Sequence, residues 1–174
     1  MQITVPNAPV VEIRLDNKGT AIGARGWHRI DLPPAKVIER VAHLASADDV
    51  GKHLPPTLAM VRHIKRQGDV IDLGLQFKVA FFSVKFGTNM KLALDGQTAR
   101  ITYLSGEPRD LALVMQLHPE GDAASVLELD VGFDIDSLGW VTKYFLRHHP
   151  EIRTGIFSGV ACTVLGAAAE LAKR

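Results

Sequence analysis

The chain has 174 residues, 47% hydrophobic and 22% charged, enough length for one domain with a sizeable core and too apolar for a disordered chain. Lys and Arg number 20 against 19 Asp and Glu, a formal charge of +1, which argues against a nucleic-acid partner, since phosphate contacts need a clustered basic excess. The single cysteine, Cys162, excludes an intrachain disulfide framework and points to a reducing, cytoplasmic setting.

No basic segment followed by an apolar run opens the chain, so no signal peptide is expected. The longest uncharged stretch, Thr154 to Ala169, is shorter than the roughly 20 residues a spanning helix needs. Val10, Val11, Ile13 and Leu15 mark residues 1–19 as an N-terminal arm or an extra strand, closed by the turn Asp16-Asn17-Lys18-Gly19. Thr20 to Ile30 is a second extended segment carrying Trp27. Asp31-Leu32-Pro33-Pro34 then starts a helix: Asp31 or Leu32 stands at the cap, and proline suits a first turn whose N–H has no partner. Val37, Ile38, Val41 and Leu44 give that helix an apolar stripe to about Ala47, and Ser46 to Pro56 breaks it.

From Thr57 to Asp136 the period falls to two. Ile71, Leu73, Leu75, Phe77 and Val79 alternate with polar or small residues, as do Met90, Leu92 and Leu94, then Ile101 and Tyr103. Leu111, Leu113, Met115 and Leu117 follow, then Leu127, Leu129, Val131, Phe133 and Ile135, with turns at Asp95-Gly96, Gly106-Glu107-Pro108 and Pro119 to Asp122. Five or six such strands make an antiparallel meander with one apolar face. After Asp136, Ser137 can cap a helix from Leu138 to Arg147. His148-His149-Pro150 interrupts it, and a second helix runs from Glu151 to the end. Ile152, Ile156, Val160, Val164, Ala167 and Leu171 share one face of this last helix, and Phe157, Ala161, Leu165 and Ala168 the next. Gly155, Ser158, Gly159, Cys162 and Gly166 form a strip of small residues. A helix apolar around most of its girth must be covered on more than one side, so the sheet is expected to curl around it, an α+β arrangement.

No phosphate cradle, zinc spacing or nucleophile elbow occurs, so no catalytic residue, metal or cofactor is assigned. His148, His149 and Glu151 read as turn residues, Asp48-Asp49 and Asp134-Asp136 as turns and caps, and Arg62, His63, Lys65 and Arg66 as a solvated strand edge. Phe81 and Phe82 allow two readings. Either they sit at a hairpin tip able to touch a membrane, or one strand runs on with both faces buried. The glycine strip reads as close backbone packing or, alternatively, as room for a ligand under the helix, because interior glycines cost a helix about 1 kcal/mol each.

The order of elements resembles the helix-grip fold of the START-like (SRPBCC) superfamily of polyketide cyclases and lipid-transfer proteins. Residues Gly26 to Val37 are similar to the family's lead-in to its first helix, and His53-Leu54-Pro55-Pro56 to the Leu-Pro after its second. Tyr103 to Gly106 and Leu117 to Asp122 resemble its strand-to-turn steps, closest to the coenzyme Q-binding and cyclase/dehydrase branches. The resemblance implies one START-like domain over residues 1–174, a curved antiparallel sheet around the C-terminal helix, and an apolar pocket between them for a lipid, quinone or polyketide-like molecule. The lining expected on strand parity is Leu75, Phe77, Met90, Leu92, Ile101 and Tyr103, then Leu113, Met115, Leu129, Val131 and Phe133, with Ile156 and Val160 from the helix. A noncatalytic carrier, cytoplasmic with transient membrane contact, fits that lining. The alternative is a cyclase or dehydratase, for which Tyr103, Arg109 and His118 are the only nearby polar candidates. His118 faces outward by parity and is expected to belong to the turn. A second alternative is a homodimerising module using the small-residue strip.

Overall fold

A computed structural model describes residues 8–42, 60–79 and 82–172. Ser46 to Pro56, Phe81 and the end of the first predicted helix lie outside the described residues, as do the side chains of Leu75, Phe77 and Phe82. The elements run β1 (Val10–Leu15), β2 (Ala21–Ile30), α1 (Pro34–Ala42), β3 (Met60–Gln67), β4 (Val70–Val79), β5 (Phe82–Asp95), β6 (Thr98–Glu107), β7 (Arg109–Glu120) and β8 (Ala124–Asp134). A 3-10 turn (Ile135–Ser137), α2 (Gly139–His148) and α3 (Glu151–Ala172) complete the chain. All eight strands join one antiparallel sheet in the order β1-β2-β8-β7-β6-β5-β4-β3. Residues 10–15 are thus an extra strand rather than a free arm. Six strands make up the meander.

Register carries the parity argument across the sheet. Leu92 lies opposite Ile101, Ile101 opposite Leu113, Leu113 opposite Val131, and Val131 opposite Ala24. Ala99, Met115, Leu129 and Gly26 form the neighbouring row. Directly opposed residues point to the same face, so these two rows floor the core. Leu129 and Val131 are fully buried there, both at 0% exposure.

Charges take the opposite face. Asp130 on β8 meets Arg14 at 3.1 Å and Arg25 at 3.4 Å, and His118 Nε2 lies 3.0 Å from Glu128. Arg29 binds Glu120 at 2.5 Å and also Asp31, and hydrogen bonding to Glu120 raises its pKa. The Arg14 guanidinium crosses the opposed glycines Gly23 and Gly132, where an added Cβ would come within 2.5 Å and 2.8 Å of its Nη2. His118 therefore sits within β7 rather than in the turn assigned to it from sequence, and the strand runs through Pro119 to Glu120. At the first turn, backbone N–H groups of Thr20 and Lys18 donate to Asp16 Oδ1 and hold its carboxyl below the usual carboxylate range. A depressed folded pKa makes this turn's contribution present above the unfolded value and lost as pH falls through the folded one.

Two local expectations need correcting. Ser137 does not cap α2, whose N-cap is Leu138 without a side-chain bond. Its hydroxyl instead donates to the Asp134 carbonyl at 2.6 Å and accepts from the Arg109 N–H at 2.8 Å, because the 3-10 turn intervenes. Asp134 caps that turn through Asp136 N–H. The chain also reverses at the double-phenylalanine segment, since β4 and β5 pair down to Val79 opposite Phe82. The reading of one continuous strand there is excluded.

Placing a charge on the inner rows should cost far more than on the outer face. Met115→Lys is expected to lower unfolding free energy by about 3–5 kcal/mol by burying an unpaired ammonium. Its neighbour Gln116→Lys should stay within about 0.5 kcal/mol. Urea melts of the two variants check the assignment, and equal stabilities would contradict it.

Candidate functional site

The long helix α3 is held by one side. Phe157, Ala161 and Leu165 are at 0% exposure and Ala168 at 6%, spaced so that they share one face. That face lies on β2, with β1 and β8 to either side. Close approach depends on small residues in the strand: Ala24 is at 0% exposure, and an added Cβ at Gly26 would lie 2.6 Å from Leu165 Cδ1. Phe157 packs on Phe133 of β8 with ring centroids 4.8 Å apart. No comparable approach joins α3 to β4, β5 or β6 among the described residues. The helix grips one wing of the sheet and stands off from the other.

The standing-off wing is apolar. Met90 is 4% exposed and Leu92 6%, while Ile71 and Ile101 are partly buried against the core. Leu113, Met115 and Phe133 carry this surface towards β8, each below 10% exposure (7%, 8% and 9%). On α3, Ile152, Ile156, Val160 and Val164 are partly buried against the core cluster. Among the predicted lining residues, Leu92, Leu113, Met115, Leu129, Val131 and Phe133 belong to one core cluster, with Ile101, Ile156 and Val160 packed against it. Leu75 and Phe77 belong to β4 by backbone.

The glycine strip lies on the side of α3 turned away from β2. An added Cβ at Gly155, Gly159 or Gly166 would meet nothing within 4 Å among the described residues. Close backbone packing against the described residues, the first reading of these glycines, is therefore not what places them, and Gly155 is exposed. Thr163 lies on this side too, roughly 120–160° around the helix from the four residues on β2. It is 6% exposed, and its Oγ1 has no hydrogen-bond partner among the described residues. An unpaired buried hydroxyl costs about 1–3 kcal/mol.

Polar groups divide sharply between this interior and the surface. Tyr103 lies opposite Met90, half-buried, and its hydroxyl donates to the Gly106 carbonyl at 3.1 Å. Its proton is committed to its own strand, which leaves oxygen lone pairs to accept from a ligand. Arg109 turns outward to Asp134 at 2.9 Å, and His118 is on the outer face. Neither reaches the space beside α3. Sequence reasoning missed the buried polar residues Thr88, Ser125, Thr142 and Thr163, and also His28, 8% exposed; Thr88 and Ser125 donate to the Ser105 and Leu32 carbonyls. His28 was legible from parity, since Ala24, Gly26, His28 and Ile30 alternate with Arg25, Trp27 and Arg29. Among the described residues no group of His, Cys, Asp and Glu could hold a metal ion.

No protein-family model matches the chain, and neither does any curated protein. Solved structures do. The lipid transfer and protein localization domain of human StarD13 superposes with a TM-score of 0.58 at 12% identity, covering 97% of this chain and 86% of that one. The Zhui aromatase/cyclase from Streptomyces sp. R1128 gives 0.55 at 13% identity, with 86% and 92% covered. A START superfamily protein from Mycobacterium smegmatis gives 0.52 at 9%, with 84% and 97% covered. The chain has the helix-grip, START-like fold: a curved antiparallel sheet against a long C-terminal helix.

The open side of α3 has a direct test. Gly159→Ala should stabilise the protein by up to about 1 kcal/mol, the helix-propensity difference, because its methyl meets no neighbour. A lower melting temperature for this variant would show that the strip is packed after all.

Proposed function

We propose that the protein binds or carries a lipid-like or other hydrophobic small molecule between α3 and the β4–β6 wing, without catalysis. The observation that carries this reading is Thr163, a buried hydroxyl with no hydrogen-bond partner among the described residues, on the side of α3 away from β2. Apolar walls with a few placed polar groups suit a ligand that is mostly hydrocarbon and carries one oriented oxygen. Ile156 and Val160 supply wall on the helix, and Met90, Leu92 and Ile101 on the sheet. Thr163 donates to a ligand carbonyl or hydroxyl, and Tyr103 accepts from one.

The cyclase or dehydratase reading has less support. It needs a proton-transfer group facing the reacting atoms, and Arg109 is paired with Asp134 while His118 contacts Glu128, both directed away from the interior.

Purified protein, extracted with organic solvent and compared with its native mass spectrum, should release a hydrophobic molecule in stoichiometric amount. An empty protein that also fails to take up fluorescent fatty acid or quinone probes would overturn the reading. Thr163→Val separates the polar anchor from packing. It should raise the melting temperature of the empty protein, because an unsatisfied hydroxyl is removed, and weaken binding of a carbonyl-bearing probe by about 0.5–1.5 kcal/mol. Calorimetry of the probe against both proteins measures the difference.

A further inference from the structure

Helix α2 turns two faces to very different surroundings. Thr142 and Leu146, four residues apart, are both 3% exposed and fix the helix to the core. On the opposite side Trp140 is 81% exposed and Tyr144 57%, again four residues apart, with Val141 at 37% beside them. Trp140 is the most exposed of the large hydrophobic residues described, ahead of Leu15 at 57%, and it stands beside two others on one helix face. Lys143 and Arg147 flank the two rings and are exposed. Neither has an ion-pair partner among the described residues, although nearby charges do: Asp136 holds Arg153 at 2.6 Å, Asp134 holds Arg109 at 2.9 Å, and His149 meets Glu151 at 3.1 Å. No acidic residue occurs from Gly139 to His148. The Tyr144 ring is held against His148, centroids 4.6 Å apart, so the surface is ordered before anything docks on it.

We propose that this face of α2 docks the protein on an anionic phospholipid surface. Tryptophan and tyrosine pair an apolar ring with a polar tip, the combination that settles at the boundary between headgroups and acyl chains. Flanking lysine and arginine meet lipid phosphates at the same depth, and the absence of acid from the helix removes any repulsion. A second copy of the chain is a poorer occupant. A two-fold contact on this face would bring Lys143 and Arg147 towards their own symmetry mates. Docking here is independent of what the interior holds, and the test uses vesicles with no cargo.

The full chain carrying Trp27→Phe leaves Trp140 as the sole indole of the two in the sequence. With vesicles of phosphatidylcholine mixed with phosphatidylserine, the protein should co-sediment and its emission should shift to the blue. Pure phosphatidylcholine should retain much less. Lys143→Gln with Arg147→Gln should lower partitioning to the mixed vesicles roughly 30-fold, from the contribution of a basic residue near an anionic leaflet. Trp140→Ala with Tyr144→Ala should abolish it at unchanged melting temperature, since neither ring is in the core. Failure of the parent to sediment with mixed vesicles overturns the proposal, as does equal retention by neutral ones. Undiminished binding by either double variant also overturns it. So does a dimer in light scattering that Trp140→Ala with Tyr144→Ala dissolves, which would make a second copy the occupant.

Discussion

The structure depends on how closely α3 can approach β2. Leu165 seats over Gly26, where a side chain on the strand would collide with it, and Ala24, Ala161 and Ala168 keep the rest of the contact thin. Interiors pack at crystal-like density, so a helix pulled against one wing of a curved sheet cannot also fill the other. Small residues on β2 and one face of α3 thereby set the distance between α3 and β4 to β6.

The outer face does complementary work. Arg14 spans the sheet from β1 to Asp130 on β8 because the two intervening glycines, Gly23 and Gly132, leave its guanidinium a flat path. Arg25 joins the same carboxylate. These pairs are partly exposed and individually weak. Their consequence is positional: they bind together the three strands that also carry α3, so the gripped wing is tied on both of its faces.

Much of this was legible in the sequence because period-two patterning responds directly to a half-buried sheet. The inward rows through Leu92, Ile101, Leu113, Met115, Leu129 and Val131 are where alternation puts them, and the helix break at His148-His149-Pro150 falls between α2 and α3. Patterning could not say which apolar face of α3 meets the sheet, since Ile156 and Val160 are as hydrophobic as Phe157 and Leu165. Only the small residues of β2 decide it, and Gly26 lies 139 positions before Leu165 in the chain. Ser137 was misread for a related reason. A 3-10 turn of three residues leaves no periodic signal, so the cap seemed one turn nearer to the helix than it is. The meaning of the glycine strip was likewise undetermined, because glycine is equally suited to a crowded neighbour and to none. Trp140 passed without notice in the sequence, because aromatics on a short helix are as often core as surface and Phe145 and Tyr144 stand on the same helix.

Strand order has a consequence for how the chain assembles. From β3 to β8 each strand pairs with the next in sequence, so these hairpins close short loops. The β2–β8 seam is different: Arg25 and Asp130 meet across 105 residues. Loop closure over such a separation pays its entropy before any contact repays it, which makes long-range pairing the slow part of a folding reaction. The meander can therefore form early, while the N-terminal hairpin and the helix it carries arrive late. Until they do, the inner rows of the sheet lie open to water and to other chains, and the edge of β8 is unpaired. The residues that give the native protein its interior are those most exposed to aggregation during synthesis, and the interval ends only when Gly26 reaches Leu165.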